Sequence, residues 1–145
     1  MGQSFLSHPL MDKESLGKIV PVVLCGGVGA RLAPLSTPSK PKPFLKLCSD
    51  EWSMLQQTII RVSDRTIFSA PILVINERHQ LLAFQQMKSL GITDATIIAE
   101  PMVKNTAPAI AIASHYVAKE YGDKSNVLVL PADHYIEETY LGADT

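Results

Sequence analysis

Cysteine is scarce in this chain: of 145 residues only Cys25, inside an apolar run, and Cys48, beside Ser49-Asp50, carry a thiol. Two thiols do not make a disulfide scaffold or a closed zinc site, which takes four ligands. Such usage fits a reducing compartment, so the expected setting is cytoplasmic. Aromatic residues make up 6% and do not alternate with basic ones, which argues against an RNA-stacking platform. Neither sign of charge dominates: Lys and Arg number 13, Asp and Glu 14, and no basic run occurs. Nucleic acid and anionic membrane are therefore not expected as partners. No apolar run approaches a membrane span. Residues 1–18 include Phe5, Leu6, Leu10 and Met11, but polar residues and Pro9 interrupt them, and Leu6 stands where a myristoylation signal needs Ser or Thr. They read as a flexible leader. No Gly-x-Ser-x-Gly elbow or His-Glu-x-x-His is present, and His8, His79 and His115 show no metal-ligand spacing, so hydrolase chemistry is disfavoured.

What the chain does contain is apolar punctuation of a regular kind. A hydrophobic share of 46% suffices for one domain that buries roughly two thirds of its unfolded surface. Ile19 to Cys25 is nearly continuous in apolar residues, as a parallel strand covered on both faces should be, although Pro21 weakens its first half. Residues 26–43 hold Gly26, Gly27, Gly29 and four prolines and read as a long functional loop, with Phe44 to Leu47 as a short extended piece. Ser53 and Gln56 form a capping-box pattern for a helix from Met54 to about Asp64. A second strand is expected over Pro71–Ile75, a helix over Asn76–Leu90 closed by Gly91, a third strand over Ala95–Ala99, and an alanine-rich helix from Pro108 to Tyr121. Asn126–Leu130 completes four strands. Strands alternating with helices give an α/β fold, a three-layer α/β/α arrangement with a mainly parallel sheet.

Four constellations carry candidate chemistry. Gly26, Gly27 and Gly29 follow the first strand directly, where glycines let backbone N–H groups approach a phosphate, and Arg31 adds a multidentate donor. The dinucleotide fingerprint fails because Leu32 occupies its last glycine position, and a Walker A motif fails for want of Gly-Lys-Ser or Gly-Lys-Thr. Phosphate binding and a merely tight turn both remain open. Lys42 lies between Pro41 and Pro43, which restrict its backbone before any anion binds; a solvated, stiffened loop is the plainer reading. Asp133 follows the fourth strand, where open α/β sheets collect ligands, and a carboxylate opposite phosphates suggests Mg²⁺, with a turn cap as the alternative. Glu100, Asn105 and Thr106 stand at another strand end, where they suit either a helix cap or contacts to a base or ribose.

In order along the chain, Gly26-Gly27-Val28-Gly29-Ala30-Arg31-Leu32-Ala33-Pro34-Leu35-Ser36, Pro41-Lys42-Pro43-Phe44-Leu45, Asn105-Thr106-Ala107-Pro108-Ala109-Ile110-Ala111 and Leu130-Pro131-Ala132-Asp133-His134 resemble the blocks of the mannose-1-phosphate guanylyltransferases (GDP-mannose pyrophosphorylases). The resemblance runs from about Ile19 to Ile136 and implies a Rossmann-like nucleotidyltransferase fold, truncated at its C-terminus, with 137–145 as a tail or truncation point. It also implies transfer of GMP from GTP to α-D-mannose 1-phosphate, with pyrophosphate leaving and Mg²⁺ as cofactor. By the same resemblance Arg31 holds the departing phosphates, Lys42 contacts the α-phosphate and the attacking group, and Asp133 binds Mg²⁺. Gly26, Gly27 and Gly29 would shape the triphosphate cradle, while Glu100, Asn105 and Thr106 belong to the nucleotide-recognition wall. The usual block carries Thr at Ala30, Trp at Ala33, Arg near Thr37 and often Gln at Pro43, which leaves the nucleotide preference open.

The family's catalytic domains continue beyond this length, supplying a sugar-binding half and another acidic metal contact. The expectation is therefore an N-terminal nucleotide-binding part, from a truncated gene product or an excerpt of a longer enzyme. Competing expectations are a catalytically incomplete nucleotide-binding or interaction module, a nucleotidyltransferase for another nucleoside triphosphate or sugar phosphate, and an NAD-binding oxidoreductase fragment. Self-association into a homo-oligomer through an exposed sheet edge or apolar face is a further expectation.

Overall fold

The computed structural model describes residues 17–25, 37, 40–101 and 106–132. Four strands, β1 (Ile19–Cys25), β2 (Ile72–Asn76), β3 (Thr96–Glu100) and β4 (Asn126–Pro131), form one sheet in the order β3-β2-β1-β4, with every pairing parallel. Three helices connect them: α1 (Met54–Arg61), α2 (Gln80–Ser89) and α3 (Thr106–Tyr121). The expected α/β fold with a parallel sheet between helical layers is the one observed.

The placement of the helices follows from chirality. From β1 to β2 to β3 the chain steps across the sheet in one direction, whereas from β3 to β4 it returns past β1 to the other side. Right-handed crossovers then require helices on opposite faces for the two directions. Alternate strand residues confirm this division. Val23, Cys25, Leu73 and Ile75 pack with Leu55 and Ile59 of α1 and Ala83 and Met87 of α2, while Val20, Val22, Ile72 and Val74 pack with Ala109, Ala113 and Val117 of α3. Each large side chain so buried contributes roughly 1.5–3 kcal/mol. The outer flank of β4 is barer: Val127 and Leu128 are 37% and 36% exposed.

The ends of the elements are written locally. In α1 the Ser53 hydroxyl accepts from the Gln56 N–H while the Gln56 side chain accepts from the Ser53 N–H, the expected capping box. That helix stops at Arg61, short of Asp64, because Ser63 Oγ donates to the Ile60 carbonyl and Asp64 collects both the N–H and the hydroxyl of Thr66. Gly91, at φ 74°, closes α2 as anticipated, in a left-handed conformation that suits glycine.

Three expectations need correction. Asn76 belongs to β2, paired with Glu100, and its side chain caps a 3₁₀ turn over Glu77–His79 that precedes α2. The Phe44–Leu47 piece is not extended at its start, since Lys42–Phe44 is a 3₁₀ turn closed by the Leu45 N–H on the Lys42 carbonyl. Pro21 does not weaken the first strand. Ile19 directs its N–H and C=O toward Ile67 and Ser69, on the β2 side, and alternate residues point the same way, so Pro21 lacks its donor where the β1–β2 ladder has not begun. The ladder to β4 runs through it unbroken.

Candidate functional site

Strand order reverses at β1, which has β2 on one side and β4 on the other. The crevice between the carboxyl ends of β1 and β4 is thus the topological switch point, where open α/β sheets bind ligands. Ala132, just past β4, donates its N–H to the Leu24 carbonyl at 3.0 Å, which holds the two strand ends together. The glycine-rich segment begins one residue after Cys25, and Asp133 comes one residue after Ala132. The two segments therefore leave the sheet from neighbouring points. Gly26, Gly27, Gly29, Arg31, Asn105 and Asp133 themselves lie outside the described residues, as do residues 1–16 of the expected leader 1–18 and the expected tail 137–145.

Lys42 is described, and its setting is specific. The chain enters through a tight closure in which Thr37 and Lys40 exchange backbone hydrogen bonds at 3.1 and 3.0 Å, and the Thr37 hydroxyl accepts from the Lys40 N–H. Pro41 and Pro43 are both buried on either side of the half-buried Lys42. Phe44 follows with 1% exposure, packed in the cluster that contains Cys25, the last residue of β1, Ile75, the last but one of β2, and Ala132, the residue next beyond β4. Its ring also meets that of His79, with centroids 5.9 Å apart. The lysine is therefore carried on a turn whose anchor is sunk into the carboxyl end of the sheet.

Glu100 ends β3 and is 8% exposed, while Thr106 opens α3 on the opposite face. With strands about 4.8 Å apart, Glu100 stands roughly 14 Å from the end of β4. The strand ends thus form one rim, but Glu100 is at the far margin of it. Among the described residues, two with displaced ionisation stand elsewhere. Hydrogen bonds from Thr66 hold the Asp64 carboxyl below its ordinary value, and burial raises the Tyr121 hydroxyl, helped by Tyr116, Asp94 and Glu120. Asp64 follows α1 and Tyr121 is the last residue of α3, and both helices run back to the amino ends of the strands. A groove of about 540 Å³ lined by Arg65, Leu90, Ile92 and Asp94 lies at that end too, and so does not belong to the switch point.

Sequence reasoning missed Gln86. It sits among Ala83, Met87 and Leu90 on the inward stripe of α2, and a polar residue in an otherwise apolar stripe was the available signal. Its side-chain oxygen accepts from Ser53 Oγ at 2.6 Å and its nitrogen donates to the Phe44 carbonyl at 3.3 Å. Among the described residues no group of three or more His, Cys, Asp or Glu is placed to hold a metal ion, and no helix is long and apolar enough to cross a membrane.

A family model described as "Nucleotidyl transferase" matches residues 20–143. The chain is 40% identical over 136 residues to a mannose-1-phosphate guanylyltransferase of Sinorhizobium fredii, a match covering 92% of this chain and 26% of that protein. It is 44% identical over 121 residues to a mannose-1-phosphate guanylyltransferase of Escherichia coli, covering 83% of this chain and 26% of that one. The crystal structure described as a mannose-1-phosphate geranyltransferase from Thermus thermophilus superposes with a TM-score of 0.69 at 31% identity, covering 85% of this chain and 34% of the other. The chain spans about a quarter of the length of these curated relatives.

Proposed function

Because this chain belongs to the nucleotidyl transferase family, which is enzymatic, we propose that residues 19–136 are the N-terminal nucleotide-binding part of a mannose-1-phosphate guanylyltransferase. The reaction is transfer of GMP from GTP to α-D-mannose 1-phosphate. A phosphate oxygen of the sugar phosphate attacks the α-phosphorus, the bond from that phosphorus to the bridging oxygen breaks, and pyrophosphate leaves. The observation that carries the reading is the anchoring of the Lys42 turn, through Phe44, on the strand ends at the switch point.

The residues divide the task by charge. Backbone N–H groups at Gly26, Gly27 and Gly29 would cradle the triphosphate, Arg31 would hold the departing phosphates, and Lys42 would contact the α-phosphate and draw the incoming sugar phosphate beside it. Lys42 suits that role because its backbone is already confined between two buried prolines, so little freedom is lost on binding. Asp133 would hold Mg²⁺, which when bound neutralises charge on the phosphates. One carboxylate, a single residue beyond Ala132 in sequence, fits this ion, since Mg²⁺ takes one or two carboxylates and fills its other positions with phosphate and water oxygens. Glu100, Asn105 and Thr106 are assigned to the nucleoside, and the distance of Glu100 from β4 agrees with a role away from the phosphates. A nucleotidyltransferase for a different nucleoside triphosphate, or a module that binds without turnover, is the second reading, kept open by Ala30, Ala33, Thr37 and Pro43, which depart from the usual block.

Calorimetric titration with GTP, with Mg²⁺ and with chelator, against UTP, ATP and NAD, tests the proposal. Mg²⁺-dependent preference for GTP is expected, and Lys42→Ala should weaken it at least about tenfold, the scale of a hydrogen bond to a charged group. Unchanged affinity in both Lys42→Ala and Asp133→Ala would remove the assigned phosphate site. Turnover with mannose 1-phosphate then separates enzyme from binding module.

A further inference from the structure

We infer that Gln86 is a positioning residue for Lys42, acting through the Phe44 carbonyl. The functional part of this inference rests on the nucleotide-binding role proposed for Lys42. Its structural part rests on a polar network that joins α1, α2 and the Lys42–Phe44 turn. Ser53 Oγ accepts from the Gln56 N–H at 3.1 Å and donates to Gln86 Oε1 at 2.6 Å. Gln56 Oε1 accepts from the Ser53 N–H at 2.9 Å, and Gln56 Nε2 donates to the Gln86 carbonyl at 3.2 Å and to Ser89 Oγ at 2.6 Å. Ser89 Oγ donates in turn to the Gln86 carbonyl at 2.8 Å. The remaining donor, Gln86 Nε2, reaches the Phe44 carbonyl at 3.3 Å.

The orientation of both amides follows from their partners. A backbone carbonyl only accepts, so the Gln86 group facing Phe44 is the nitrogen; a backbone N–H only donates, so the Gln56 atom facing Ser53 is the oxygen. The network has a single sense and its end is the turn. A second tie runs in parallel, since the Met54 N–H at the start of α1 donates to the Leu45 carbonyl at 3.0 Å. The capping box of α1 is thus linked through Gln86 to the residue two positions after Lys42. An α1–α2 packing role alone would not require the amide to reach Phe44.

The experiment compares Gln86→Glu and Gln86→Met in the full chain, each with Lys42 intact and with Lys42→Ala. Gln86→Glu keeps the acceptor for Ser53 and turns an oxygen toward the Phe44 carbonyl; it remains informative if Gln86→Met does not fold. Hydrogen exchange should quicken at the Phe44, Leu45 and Met54 amides and stay unchanged in β2 and β3. Affinity for Mg²⁺-GTP should fall roughly 3- to 10-fold, the scale of one hydrogen bond, with Lys42 present, and should not fall further with Lys42→Ala. Unaltered exchange at the turn overturns the clamp, and an equal loss of affinity on both backgrounds overturns its action through Lys42. If the unmodified chain binds no GTP, the proposed function fails, while the exchange comparison still decides whether Gln86 holds the turn.

Discussion

The two faces of the sheet are built on different scales. On the α1–α2 face, Leu55, Ile59, Met87 and Phe44 fill the space over Val23, Cys25, Leu73 and Ile75. On the α3 face, Ala109 and Ala113 with Val117 meet Val20, Val22, Ile72 and Val74, so the buried stripe of the helix is made of small side chains. The first face is a volume filled by long side chains, one of them contributed by the candidate site; the second is a contact that depends on small ones. The two should therefore fail in opposite ways, the first by deletion and the second by insertion.

Phe44→Ala has the largest expected effect. It empties a site of 1% exposure and should cost about 3–5 kcal/mol, read from the urea midpoint, together with faster exchange of the Leu45 amide. A loss below about 1 kcal/mol would mean that Phe44 is not an anchor. Ala113→Leu should cost about 1–3 kcal/mol by overpacking, and its damage should show as exchange in α3 and β1 with the Lys42 turn unaffected. If this insertion were tolerated without loss, the contrast between the faces would be wrong.

Asp64, beyond the end of α1, gives the smallest effect. Hydrogen bonds from the Thr66 hydroxyl and N–H lower its folded value below the unfolded one, so its contribution is present above the ordinary carboxylate pKa of about 4 and disappears as pH falls through the lowered value. Asp64→Asn should flatten that slight acid dependence of the unfolding midpoint and leave the midpoint at pH 7 nearly unchanged. An unaltered acid profile would show that the Thr66 contacts do not persist in solution.

How much could be read in advance depended on range. The α1 capping box, the Gly91 terminus and the apolar strands were legible because each is set by residues a few positions apart. Asn76 was misplaced because its role in β2 is set by pairing with Glu100, and Pro21 was misjudged because its missing donor matters only relative to where β2 starts pairing. Within the site, Lys42 between two prolines was recognisable as a stiffened segment. The depth of Phe44 and the reach of Gln86 across 42 positions were not, since they arise from packing between elements distant in sequence.

The hydrogen bond from Ala132 to Leu24 also bears on the order in which the molecule is made. During synthesis β1, β2 and β3, with α1 and α2, emerge as a consecutive unit that can pair and cover one face. The other side of β1 must wait for β4, whose partners in β1 lie more than a hundred positions earlier. Such a late, non-local closure is the slow kind of step. Of the four described strands β4 is consequently the last to join, and a nascent chain halted before residue 126 would carry Lys42 over β1, β2 and β3 with no β4 beside β1 to form the other wall of the crevice.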